Sequence, residues 1–241
     1  MPLFNGMPNY RDIHQGSIGS CWYLSALAVY LHCVHGSEKR VASWITEVVV
    51  EHRPLYRIKF HDVIYYVDAY FPVEYRGCSM KVLWPLLMEK AMMCHLTPSH
   101  LVFRDGYICP NIDQTMDYSN TGALGLLYVT GKSSQYYNLH TEPHIRRRLE
   151  RTLYAGSLMA ANTSASTFQS DPCAVQMYQA VGRHCYGIFK ISDHEITLYN
   201  PWGCGGMTDQ IKSVERGVFT ISWELFIKVF AFVHVTGTLQ P

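Results

Sequence analysis

The chain has 241 residues, 48% of them hydrophobic and 16% charged, a composition that excludes a disordered protein and suffices for a real core. Twenty Lys and Arg against nineteen Asp and Glu leave a formal charge of +1, which gives no reason for a nucleic acid or an anionic membrane as the main partner. No apolar run approaches the roughly 20 residues of a membrane span, and the N-terminal residues lack the basic-then-apolar build of a signal peptide. The eight cysteines are therefore read as reduced thiols of an intracellular, cytoplasmic chain.

Ser20 to Val34 is almost uniformly apolar, which predicts a central helix buried on every side. The stretch from Gln15 to Ser20 reads as a glycine-bearing turn, with Ser20 as N-cap. His32, Cys33 and His35 near the end of that helix lack zinc-site spacing and read as ordinary surface and core. Tyr56 to Phe60 and Val63 to Tyr70 read as strands, with a hairpin turn at His61-Asp62. Val82 to Leu96 reads as a second helix, with Pro85 tolerated in its first turn and Pro98 beyond its end. No period is evident between Phe103 and Tyr118.

Gly122 to Val129 reads as a short helix, and Thr130-Gly-Lys-Ser-Ser as a linker. Ile145, Leu149 and Leu153 then mark one apolar face at helical spacing, with Arg146, Arg147, Arg148 and Arg151 on a solvated basic side. Strands follow at 157–162, 185–191, 195–199, 218–222 and 231–238, with Ser192-Asp-His as a turn and one helix at Trp223 to Val229. Asn162-Thr-Ser fits a glycosylation pattern and is read as coincidence in an intracellular chain. Helices first and antiparallel strands second make an α+β arrangement of two lobes, 1–131 and 132–241.

Cys21 falls at the start of the apolar helix, where free amides and the helix dipole favour a thiolate and can hold an oxyanion. A thiolate nucleophile needs a base, and the base needs an orienting group. His184, in Gly182-Arg-His184, precedes one strand, and Asn200, in Asn200-Pro-Trp-Gly, follows the next. If 185–191 and 195–199 pair as a hairpin, both side chains lie at the same end of it, where Trp202 can keep water off their hydrogen bond. Gln15 sits on the turn that can fold back over Cys21.

Taken together, these segments resemble calpains. The segment Gln15-Gly-Ser-Ile-Gly19-Ser-Cys21-Trp holds the spacing of the calpain active-site segment. Trp84-Pro-Leu-Leu-Met-Glu89-Lys-Ala is similar to the family's Trp-x-x-Leu-x-Glu-Lys-Ala helix. Val67-Asp68 and Phe71-Pro72-Val73 look like the strand that ends in Val-Asp-Asp and Leu-Pro. Gly182-Arg183-His184-Cys-Tyr matches the histidine segment with one residue inserted between glycine and histidine, and Asn200-Pro-Trp-Gly matches the asparagine segment outright. Gly217 to Phe226 looks like the closing strand and helix.

The resemblance implies a papain-like two-lobed fold and thiol endopeptidase activity on protein or peptide substrates inside the cell, with regulatory domains lying outside this stretch. Cys21 would attack, His184 move the proton, Asn200 orient it and Gln15 donate to the oxyanion. Trp202 would shield the pair and Gly19 line the substrate cleft, with a hinge at Thr130-Gly131. No cofactor is required on this reading. Calcium, which calpain cores bind in each lobe, is doubted. Asp12 matches one ligand, but its partner falls near Ser99 and His100, and the second-lobe loop offers only Asp209 and Glu215. Ser20 stands where an aspartate is usual, and the loop Cys204 to Arg216 is short. A catalytically silent relative acting as a binding module, and a thiol amidase or transferase with the same triad, stay open.

Overall fold

The computed structural model describes residues 1–16, 18–60, 63–71, 81–96, 122–163, 181–203 and 217–240, and the backbone of 101–104, 107–110 and 213–215. It is an α+β arrangement of helices and antiparallel sheet. Helix α1 (Cys21–Cys33) is buried from Trp22 to Tyr30, as a segment with no polar face must be. A short helix α2 (Ser37–Ser43) leads into a meander of β1 (Ile45–Val50), β2 (Arg53–Phe60) and β3 (Val63–Val67). Helix α3 (Trp84–Leu96) packs beside it, and a hairpin of β4 (Leu101–Arg104) and β5 (Tyr107–Pro110) follows.

Helix α4 (Gly122–Thr130) lies so close to α1 that a Cβ on Gly125 would sit 2.3 Å from the Trp22 carbonyl oxygen. The rest of the chain builds one antiparallel sheet in the order β10-β11-β9-β8-β7-β12-β6. Its strands are β6 (Ser134–Asn138), β7 (Met159–Thr163), β8 (Cys185–Ile191), β9 (Glu195–Tyr199), β10 (Ser213–Glu215), β11 (Val218–Ser222) and β12 (Phe230–Thr236). Helix α5 (Ile145–Tyr154) packs Ile145 and Leu149 into its core, and α6 (Trp223–Val229) adds Phe226 and Val229. Among the described residues, no helix is long and apolar enough to cross a membrane.

Several elements differ from the sequence reading. The meander strand β3 stops at Val67 because Asp68 turns the chain. Its carboxylate accepts the Tyr70 amide at 3.0 Å and the Lys90 ammonium at 2.5 Å, which replaces a strand ladder with a side-chain turn. Ser20 occupies the N-cap position of α1 but makes no capping bond; its hydroxyl donates to Glu89 instead. The linker at Thr130-Gly131 runs straight into an edge strand, β6, paired along β12. Elements α2, β1, β4 and β5 fall where no periodicity marked them. His61-Asp62, Pro98 and most of the loop from Cys204 to Arg216 lie outside the described residues.

The basic side of α5 is engaged rather than merely solvated. Arg146 pairs with Asp193 at 2.8 Å and Arg148 with Glu142 at 3.1 Å. His32, Cys33 and His35 are all exposed, with the His32 ring stacked on Phe189 at 3.9 Å, so this trio lies at the surface and none of it in the core.

Candidate active site

The hairpin of β8 and β9 does what its sequence position requires. Gly187 pairs with Tyr199 and Ile191 with Ile196, so His184 and Asn200 emerge at one end. His184 Nε2 lies 2.9 Å from Asn200 Oδ1. The Trp202 backbone N–H also donates to Oδ1, at 3.1 Å, which identifies that atom as the acceptor. Nε2 must then be the protonated nitrogen of a neutral ring, and Nδ1 carries the lone pair. Both side chains are buried, at 3% and 4% exposure. The Trp202 ring lies 4.9 Å from the imidazole and Tyr186 packs edge-on at 4.7 Å. Burial, against the opposing bond to Asn200, pushes the His184 pKa down to about 4.

Thr163 on β7 holds the backbone under the histidine. Its hydroxyl accepts the His184 N–H at 3.0 Å and donates to Val181 at 2.7 Å. Two glycines shape the Asn200 turn. Gly203 (φ +66°) and Gly217 (φ +85°) both lie in the left-handed region, and a Cβ on Gly203 would strike His14 Nδ1 at 2.2 Å.

The N-terminal segment is tied to that turn. The Gln15 backbone N–H donates to Pro201 at 2.8 Å, and the Tyr199 hydroxyl reaches the carbonyls of Tyr10 and Ile13 at 3.0 and 2.9 Å. The same segment leads through Gly19 to Cys21. From the helix side, the Ser25 hydroxyl donates to the Cys185 carbonyl at 2.8 Å, and Gly187 admits Val29 where a Cβ would be 2.6 Å from its methyl group.

These ties bring Gln15, Gly19, Cys21, His184 and Trp202 to the wall of one cavity of about 300 Å³, while Asn200 stands behind the histidine. Cys21 is half-buried. The sequence argument expected the helix start to favour its thiolate. Burial prevails and raises the thiol pKa, with the amides of Cys185, Trp22 and Cys21 acting in the opposite direction. Burial thus favours the uncharged form of both groups, the thiol and the imidazole. The Gln15 side-chain amide donates to the Ile18 carbonyl at 2.6 Å and retains its second N–H.

The sequence reading passed over three residues at the site. Asn162 lines the cavity; its only signal was the glycosylation pattern, whose remaining serine lies outside the described residues. Arg183 lines it too. Glu89 stands behind Ser20, one residue from Cys21, and a charged residue inside an apolar helix was signal enough.

Asp12 Oδ2 accepts both the Trp84 indole N–H and the Asn9 amide, each at 3.0 Å. Among the described residues, no three His, Cys, Asp or Glu side chains gather as metal ligands would. Ser99, His100 and Asp209 lie outside the described residues, and Glu215 is described by its backbone alone.

Residues 2–214 match the family model for calpain family cysteine proteases. The chain is similar to calpain-type cysteine proteases of Oryza sativa subsp. japonica and Zea mays, each at 23% identity over 99% of this chain. A calpain-type cysteine protease of Arabidopsis thaliana is 24% identical over 97% of it. The chain spans 12% of the length of each of these relatives. With the family model matched across most of its length, this chain belongs to the calpain family of cysteine proteases.

Proposed function

We propose that the chain is a cysteine-type endopeptidase domain of papain-like build, with a nucleophile lobe at 1–131 and a histidine lobe at 132–241, working on proteins inside the cell. The observation that carries this reading is the 2.9 Å bond from His184 to Asn200 at the wall of the cavity that holds Cys21. His184 Nδ1 takes the thiol proton as Sγ attacks a peptide carbonyl. The oxyanion is met by the free N–H of Gln15 and the backbone N–H of Cys21. The tetrahedral intermediate collapses to a thioester as His184 returns the proton to the departing amine. Water, deprotonated by the same Nδ1, then attacks the thioester and frees the acid. A neutral histidine suits this base-assisted route, in which proton transfer accompanies attack. Asn200 fixes the tautomer and Trp202 covers the bond.

The reaction needs no cofactor in this scheme, and the calcium requirement is weak or absent. Asp12 is the one matched ligand that is described, and one of its carboxylate oxygens already serves Trp84 and Asn9. The direct test is labelling with an epoxide or vinyl-sulfone thiol inhibitor, read by peptide mapping. One equivalent on Cys21, with parallel loss of peptide hydrolysis, is expected. Modification of another cysteine while Cys21 stays free would overturn the assignment.

A further inference from the structure

Among the described residues that line the cavity of Cys21 and His184, Arg183 is the one that carries a formal charge at neutral pH. The other walls used by the argument are neutral: Gln15, Gly19 and Asn162. Arg183 is exposed, and it holds a left-handed backbone at φ +52°. A side chain other than glycine rarely adopts that region, and a residue held there points toward a functional constraint. It is also the residue inserted between the glycine and the histidine of the segment described above. Thr163 grips the chain on both sides of the insertion, through Val181 and through His184. Arg183 therefore sits at the cleft wall between two points of the chain that Thr163 anchors.

We propose that Arg183 makes this cleft select peptides with an acidic side chain next to the scissile bond, on the side of the leaving amine. The inference rests on the protease reading above, because the side is set by His184, its neighbour, which returns the proton to that amine. A guanidinium offers five N–H donors in a planar fork that fits a carboxylate. Arg183 already has a contact within the protein, and five donors leave room for a substrate carboxylate as well. A basic side chain at the same place meets like charge.

The test reads binding apart from hydrolysis. Three fluorescent peptides of one sequence, differing only in Glu, Gln or Lys at one central position, are titrated into the Cys21→Ala chain by anisotropy. The Glu peptide is expected to bind about fivefold tighter than the Gln peptide, the upper end for an exposed ion pair, with the Lys peptide weakest and the spread shrinking in high salt. Arg183→Gly, which suits the left-handed backbone, should level the three; Arg183→Glu should invert their order. Equal binding, no binding, or an order that survives Arg183→Gly overturns the proposal. The amine products released by the wild-type chain should begin with the acidic residue, and cleavage on its other side overturns the placement. An acidic preference in binding without any hydrolysis by the wild-type chain would support the role of Arg183 and sink the protease reading instead.

Discussion

Glu89 offers a quantitative test of how the nucleophile is seated. It is 3% exposed and accepts the Ser20 hydroxyl. Lys90, next in the chain, turns to Asp68 and to the Tyr70 carbonyl and gives Glu89 no cation. Burial, partly offset by the Ser20 bond, pushes its pKa from 4.5 up to about 7. The folded state therefore holds a proton that the unfolded chain releases. Stability from this group is fully present below pH 4.5 and is lost as pH rises through about 7. The difference between 4.5 and about 7 corresponds to roughly 3 kcal/mol, a large part of the 5–15 kcal/mol typical of a domain. Glu89→Gln keeps an acceptor for Ser20 and removes the ionisation. Urea unfolding of both proteins under reducing conditions, at pH 4.5 and pH 8, should show the wild type losing about 3 kcal/mol more than the variant. Parallel losses in the two proteins would refute the reasoning.

The remaining expectations concern the site. Asn200→Ala should lower kcat more than it raises KM, since it frees the imidazole without touching substrate, and His184→Ala should be worse; wild-type rates in both would exclude the pair. Because His184 must be neutral to act as a base and its pKa lies at about 4, kcat/KM should fall only as pH drops through about 4, and an acid limb near 6.5 would contradict the burial argument. Gln15→Ala should cost roughly 2.7–4 kcal/mol of transition-state stabilisation with peptide affinity little changed, and weakened binding at normal turnover would point to a different role. Hydrolysis in excess chelator should match that in millimolar calcium; activity that appears only with calcium, with ions bound at micromolar affinity, would show ligands other than those named.

Much of the site was legible because each residue sits where a local pattern changes. Cys21 opens an apolar run, His184 precedes a strand and Asn200 follows the next, so a hairpin alone brings two of them together. The electrostatic state was not legible. Helix-start amides are visible in a sequence, but the opposing burial depends on what β8 lays over the cysteine, through contacts some 160 residues away in the chain. The role of Ser20 was hidden for the same reason: N-cap chemistry is local, whereas its partner Glu89 is 69 residues on. Strand β6 was missed because Ser134-Gln-Tyr-Tyr-Asn lies on a sheet edge and shows no buried-exposed alternation.

Helix α1 has a consequence for biosynthesis. Every face of it needs cover, and one covering strand, β8, bears Cys185, whose carbonyl receives Ser25 from 160 residues earlier. At about 5–20 residues per second, a ribosome takes roughly 8–30 s to make that span. For that interval the nascent chain carries the cysteine without the full cover of its helix, which α4 supplies only in part, and without the histidine that follows the same delay. The tie from Tyr199 back to Tyr10 and Ile13 closes later still. A growing chain thus carries an apolar segment for chaperones to hold long before the cysteine and the histidine can meet.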